Sequence, residues 1–495
     1  MLPWSMRPRS LACYMSLPAR AAGSVAGLVL LLSSPLAAQV APDFDTDRID
    51  ITGRQNLTLG SGARAYGMGG AFLARADDAT AASWNPAGLS YLRAPEISLV
   101  GVSNSFEAQR GVAFDPNASD FDRFDGSAID FAAFTWPIGL GETTGAIQIS
   151  YQRAISFDGT RAIHETTTGQ TLSERGSSDG GFDVVAFGTG LRLSRHLRAG
   201  LTVNRWLNGY DQSLTRTYET PNPRPQRVYS LDFRPNGWSF NFGAIVSPVE
   251  SLNLGVVYKT PFKADVRLDK ARHDYWVAQG KLLEVTQNAY ASEDVRLEFP
   301  SSFGFGISWR PIDTLTLSAD FTQTRWSEAR IQNYFDLQRT PPTGEDGTPG
   351  TPPPPNIYPN FQYPTLNAVP NTDDPDDPAR LLGQQDAQQI RVGVEWVLIW
   401  GRVKLPLRAG YFNDRQITPN PGGDTPRFDG FTLGTGLLLG PMLVDVAYVH
   451  ESGAYTTAPD SGDFDLPPDV TLSPVRSVLK TDRVFASLIY RFSGR

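Results

Sequence analysis

From residue 96 to residue 492 the chain is a succession of segments in which every second side chain is apolar, joined by connections that alternate between short and long. Successive side chains of an extended strand point to opposite faces, so each segment has one greasy face and one small or polar face. Leu252, Leu254, Val256 and Tyr258 alternate with Asn253, Gly255, Val257 and Lys259, and Phe303, Phe305, Ile307 and Trp309 alternate with Gly304, Gly306 and Ser308. The same holds for Trp238, Phe240 and Phe242, for Leu315 to Thr322, and for Val484 to Phe492. A soluble sandwich also alternates, but the connections separate the two folds. Strands near 96–105, 129–136, 144–155, 182–193, 197–212, 229–247, 251–267, 294–310, 314–326, 388–399, 403–412, 428–439, 442–450 and 482–492 number fourteen. The short connections, at Pro137–Thr143, Ser194–His196, Pro248–Glu250, Pro311–Asp313, Trp400–Arg402 and Gly440–Pro441, all join an even strand to the next odd one. Short turns at one rim and long loops at the other, with an even strand count, is the outer-membrane pattern. The expected fold is therefore all-β, a transmembrane antiparallel barrel of about 14 strands within residues 94–495.

Two composition features agree with that reading. Trp136, Trp309 and Trp400 each stand within two residues of a short turn, where an amphipathic ring sits at headgroup depth. Residues 340–380 hold Pro352–Pro355 with Asp373, Asp374, Asp376 and Asp377, a tract too Pro-rich and acidic for a core and expected as a long, partly disordered external loop.

The compartment follows from residues 1–38. Arg7, Arg9 and Arg20 precede an apolar run from Ala21 to Leu32 and then Ala37 and Ala38, the pattern of a secretory signal peptide cut before Gln39. Starting at Met15 would give a more ordinary signal length. The run is too short for a permanent membrane helix, and no later stretch approaches the ~18 apolar residues one needs. The single cysteine, Cys13, falls inside the signal, which leaves the mature chain no disulfide and no thiolate ligand or nucleophile. Losing three arginines and no acid moves the formal charge from -8 to about -11, which argues against a nucleic-acid partner.

Residues 39–93 precede the first strand and contain no long alternating segment. Their small-residue stretch Gly60 to Ala71 suits chain folded compactly in a confined space, a plug within the barrel lumen. Gly62-Ala63-Arg64-Ala65 through Gly69-Gly70-Ala71, then Ala76-Asp77-Asp78-Ala79, then Asn85-Pro86-Ala87-Gly88-Leu89, resemble the amino-terminal hatch of the FadL and TodX group of hydrophobic-compound channels. Further matches run along the chain: Leu254 to Phe262, Phe299-Pro300, Thr324-Arg325-Trp326-Ser327 and Leu407 to Tyr411.

The resemblance implies a hatch-plugged barrel that passively takes up fatty acids or hydrocarbons, captured among outer loops and released inward when the hatch shifts. It also implies sideways exit at a kinked third strand, here Thr144 to Ile155, where Gly145 is the visible irregularity. Outer-membrane lipid and lipopolysaccharide are the implied surroundings, with the barrel-assembly machinery a partner in biogenesis. The terminal aromatic that such machinery reads is displaced, Phe492 being followed by Ser493, Gly494 and Arg495. Relatives of this fold also serve as shuttles or anchors of secretion systems, and the hatch motif does not separate the two roles.

Arg153, Lys259 and Arg325 near outer strand ends are the candidate contacts for a ligand carboxylate. Asn85, Pro86, Ala87 and Gly88 form the hatch motif, in which Pro86 holds Asn85 extended and frees its amide for lumen groups. No catalytic set, cofactor or metal is expected. Gly67-Met68-Gly69-Gly70 lacks the dinucleotide spacing. Asp120, Asp122 and Asp125, and Asp463 with Asp465, lack a full calcium loop. His164, His196, His273 and His450 are read as loop, turn and strand-end residues; His450 beside Glu451 is the one candidate for a rim hydrolase site.

Overall fold

The first barrel strand pairs with the last, so the sheet has no edge. The computed structural model describes residues 60–492 apart from 113–114, 141–142, 157–158, 168–169, 220–225, 279–280, 333–334, 341–364, 371–384, 402, 418–419, 421–422 and 458–474. Its strands are β1 (Glu96–Val112), β2 (Asp115–Leu140), β3 (Thr143–Ser156, carried on by Gly159–Thr167), β4 (Gln170–Arg192) and β5 (Leu197–Leu207, then Tyr210–Glu219). They continue with β6 (Gln226–Val249), β7 (Leu252–Lys259, then Phe262–Ala278), β8 (Lys281–Phe299, then Ser302–Ile312) and β9 (Leu315–Thr324, then Arg330–Gln332). Then follow β10 (Ala387–Trp400), β11 (Val403–Arg415), β12 (Arg427–Leu439), β13 (Met442–Thr457) and β14 (Val475–Arg491). Each pairs antiparallel with the next, and Glu96↔Arg491 to Arg110↔Ser477 closes the barrel. Residues 1–59, with the expected signal peptide, and most of the acidic tract fall outside the described residues; within that tract Thr365–Pro370 pairs with Phe335–Thr340.

The distribution of apolar surface is the inverse of a soluble protein's. Phe303, Phe305, Ile307 and Trp309 point outward, Trp309 being 49% exposed, while Gly304, Gly306 and Ser308 between them are buried. All fourteen strands carry large exposed hydrophobics on that outer face. A contiguous apolar belt of this extent has a stable place only in hydrocarbon. Trp136, Trp309 and Trp400 stand exposed beside the short turns.

The strands outrun their sequence signal. Residues 106–128, expected as a loop, continue the β1–β2 ladder through Phe106↔Phe124 and Gly111↔Ser119. Above the hydrocarbon the outer face has no need to be apolar, so alternation fades although backbone pairing persists. For the same reason Asp120, Asp122 and Asp125 stand in strand, opposite Arg110, Ala108 and Ser105, and not in a loop. His164 and His273 likewise belong to the extensions of β3 and β7.

Among the described residues four strands break near the outer edge of the belt. β7 breaks at Pro261 and β8 at Pro300, residues with no N–H for the ladder. β5 breaks where Asn208 takes a positive φ of 63°. β9 is interrupted between Thr324 and Arg330. Around these breaks Phe182, Tyr210, Phe233, Leu297, Phe299 and Trp326 meet in one buried cluster.

Candidate functional site

The described segment from Gly60 to Leu92 lies inside the barrel. It folds as α1 (Ala63–Gly67), α2 (Ala81–Trp84) and a 3-10 turn (Pro86–Tyr91), short pieces whose small residues are nearly all buried. Toward β10–β13 it is held by charge. Glu395 of β10 accepts from Arg64 at 3.2 Å, from Arg75 at 3.3 Å and from Arg408 of β11 at 2.8 Å. Asp77 also bridges the two segment arginines, at 2.7 and 2.8 Å, and Arg408 reaches on to Asp445 of β13 at 2.6 Å. Arg391 donates to the Gly69 carbonyl at 2.9 Å while pairing with Asp414 at 2.7 Å. In β9, Asp320 accepts the Phe72 and Leu73 N–H groups at 2.6 and 2.8 Å.

Toward β4–β6 the attachment is steric and neutral. Asn85 is extended (φ -141°, ψ 105°), and its side chain accepts from the Ala87 N–H as the cap of the 3-10 turn. Its amide donates to the Leu73 carbonyl at 2.8 Å and to the Ala244 carbonyl of β6 at 3.2 Å. The barrel wall opposite is glycine: a Cβ on Gly200 would overlap Pro86, and one on Gly243 would overlap Asn85.

Beside this segment the lumen holds a cavity. Its floor is Ala82 and Ser83 of α2; its walls carry Thr202 and Asn204 of β5, Asn241 of β6, Lys259 of β7, Ser302 of β8 and Thr324 of β9. Its roof is aromatic. Trp206, Phe262 and Phe299 stack, Phe262 and Phe299 at 4.5 Å between centroids and 7° between planes, with Trp326 beside them. The Lys259 ammonium lies 3.4 Å from the Ser83 carbonyl, so a cation stands at the meeting of floor and wall. A molecule with an anionic end and an apolar body finds both complements here.

Residues 182–438 match the family model described as outer membrane protein transport protein (OMPP1/FadL/TodX). The chain belongs to that family. No curated protein matches the chain. The fold is shared with a FadL homologue of Pseudomonas aeruginosa (14% identity, 88% of this chain and 99% of the other, TM-score 0.54). It is shared too with the Pseudomonas putida toluene transporter TodX (14% identity, 88% and 98%, TM-score 0.52). The protein is thus an outer-membrane β-barrel of a transport family for hydrophobic compounds, a channel and not an enzyme.

Among the expected carboxylate contacts of this FadL/TodX-family barrel, the structure places one in the cavity. Arg153 donates to the buried carboxylate of Asp183 at 3.0 Å, and Arg325 pairs with Glu328 at 3.3 Å on the exposed rim. Lys259 alone of the three lines the cavity. Thr202, Asn241, Ser302 and Thr324 escaped notice because each reads in sequence as the polar half of an ordinary alternation. Only strand register brings them together.

Two further expectations meet the FadL/TodX-family geometry differently. Gly145 sits in regular ladder opposite Ile138 and Leu191. The irregularity of the third strand lies instead between Arg153 and Ile155 where it faces β4, and its ladder with β2 runs from Leu140↔Thr143 to Phe131↔Gln152. His450 and Glu451 do not form one site. As strand neighbours they point to opposite faces, and each has its own partner: His450 meets Asp482 at 2.8 Å, and Glu451 takes Arg483 at 2.7 Å.

Proposed function

We propose that this barrel takes up amphipathic hydrophobic acids, long-chain fatty acids foremost, holding them in the lumenal cavity with the carboxylate on Lys259. The observation that carries this reading is the single lysine at the base of a cavity roofed by stacked aromatic rings. Each methylene moved from water to the roof contributes ~0.8 kcal/mol, which makes capture favourable with no energy source. The carboxylate then loses water but gains a charge-assisted bond. Passage beyond the cavity requires Gly60 to Leu92 to move, and the family relation supports reading that segment, with its Asn85-Pro86-Ala87-Gly88 motif, as the hatch.

Lys259→Gln keeps a polar side chain, one atom shorter, and removes the charge. It should weaken binding of octadecanoic acid to the purified protein by about 10- to 100-fold, the ~1.5–3 kcal/mol of a bond to a charged group. A strain lacking the gene should grow more slowly on long-chain fatty acids and normally on sugars. Unchanged acid binding by Lys259→Gln, with the fold intact, overturns the head-group assignment; equal uptake by deletion strain and parent overturns fatty-acid transport.

A further inference from the structure

The cavity wall is more polar than an alkyl chain can use. Across the ladders Thr202 stands opposite Asn241, Asn241 opposite Lys259, Lys259 opposite Ser302, and Ser302 opposite Thr324. All five side chains line the cavity. Strands lie ~4.8 Å apart, so the row extends roughly 19 Å, several times the width of one carboxylate.

The members of the row are not equally committed. Thr324 donates to Ser302 at 3.1 Å and Thr202 to the Ala82 carbonyl at 3.4 Å. Asn241, 8% exposed, makes no side-chain hydrogen bond among the described residues, although it stands beside Lys259 and borders the cavity. At the roof the Trp326 indole N–H is also buried without a partner among the described residues. A saturated chain bound here would strip water from Asn241 and offer no bond in its place, leaving a desolvated amide. A chain bearing a hydroxyl would satisfy the amide, which both donates and accepts.

Resting on the reading that Lys259 takes the carboxylate, we infer that the cavity selects oxygenated amphipathic acids, of which hydroxy fatty acids are the simplest, over unsubstituted acids of equal length. Asn241 is the side chain that reads the added oxygen. The aromatic roof supplies affinity for the carbon skeleton in either class; the polar row supplies the discrimination.

The test uses the full-length protein purified in detergent and equilibrium binding of octadecanoic acid against its 3-, 10- and 12-hydroxy derivatives. At least one hydroxy acid should bind roughly three- to tenfold more tightly, the worth of one hydrogen bond. Asn241→Leu should bring that ratio to about one, and Asn241→Ser, which keeps a hydroxyl and is less disruptive, should lower it. Lys259→Gln should weaken every acid and preserve the ratio. Equal binding of plain and hydroxy acids by the parent protein overturns the inference, as does a preference that survives Asn241→Leu. If the ratio depends on Asn241 while Lys259→Gln weakens nothing, the head-group assignment fails and the role of Asn241 stands.

Discussion

Asn85→Ala should loosen the lumenal segment without harming the barrel. The side chain makes three hydrogen bonds: one accepted from the Ala87 N–H, and two donated, to the Leu73 and Ala244 carbonyls. Only the bond to Ala244 crosses from the segment to the barrel wall, the other two holding the segment's own shape, so at ~0.5–1.5 kcal/mol its loss shifts the balance between docked and undocked segment roughly two- to tenfold. Asn85 joins no strand ladder, so insertion, β circular dichroism and the faster gel migration of unboiled protein should match the parent. The assay is single-channel conductance in a planar bilayer, where the variant should show larger or more frequent openings. Asn85→Asp separates cap from clamp, because it keeps the acceptor for Ala87 yet sets a carboxylate against two carbonyl oxygens. It should open at least as readily as the alanine variant. If Asn85→Ala inserts normally and conducts like the parent, the bonds only shape a turn and the gating role is wrong. If Asn85→Asp matches the parent while Asn85→Ala does not, the cap alone matters.

Glu395→Gln removes the one carboxylate that Arg64, Arg75 and Arg408 share, while Asp77 still bridges the first two. Conductance should rise more than in Asn85→Ala, since bonds to charged groups contribute ~1.5–3 kcal/mol each; unchanged conductance would show that the ionic side does not hold the segment. Replacing Trp136, Trp309 and Trp400 together by serine should lower the temperature at which the protein loses its fast-migrating form, with octadecanoic acid binding intact at room temperature. An unchanged transition would remove the girdle role from these exposed rings.

The barrel was legible because lipid imposes a strict rule on every spanning strand. Phe303 to Trp309 had to alternate, and the six short turns had to fall at one rim, whatever the rest of the chain did. Where lipid ends, so does legibility. The outer parts of β1 and β2 pair as regularly as the inner parts, yet their sequence, with Asp120, Asp122 and Asp125, reads as loop because neither face is forced to be apolar. Of the breaks near the belt's outer edge, Pro261 and Pro300 are visible as prolines, while Asn208 owes its positive φ to surroundings that a sequence does not display.

The cavity was legible at one residue for a related reason. A lysine in a strand that otherwise alternates with apolar residues, as Lys259 does after Tyr258, draws attention by its charge. Arg153 and Arg325 drew it equally, and nothing in the sequence around Arg153 announces Asp183 as its partner. Asp183 lies 30 residues away, whereas Glu328 is near in sequence but meets Arg325 only through the 3-10 turn Trp326–Glu328 that interrupts β9. Asn241 had no charge to mark it, and its importance comes from standing opposite Lys259. That depends on the turn between β6 and β7 and the register shift between Val246 and Val249. A shift of one residue would turn Asn241 to the lipid and Phe242 to the lumen, exchanging the polar row for an apolar one. The chemistry of this lumen is thus set jointly by residue type and by turn geometry, and the second is the part that alternation cannot reveal.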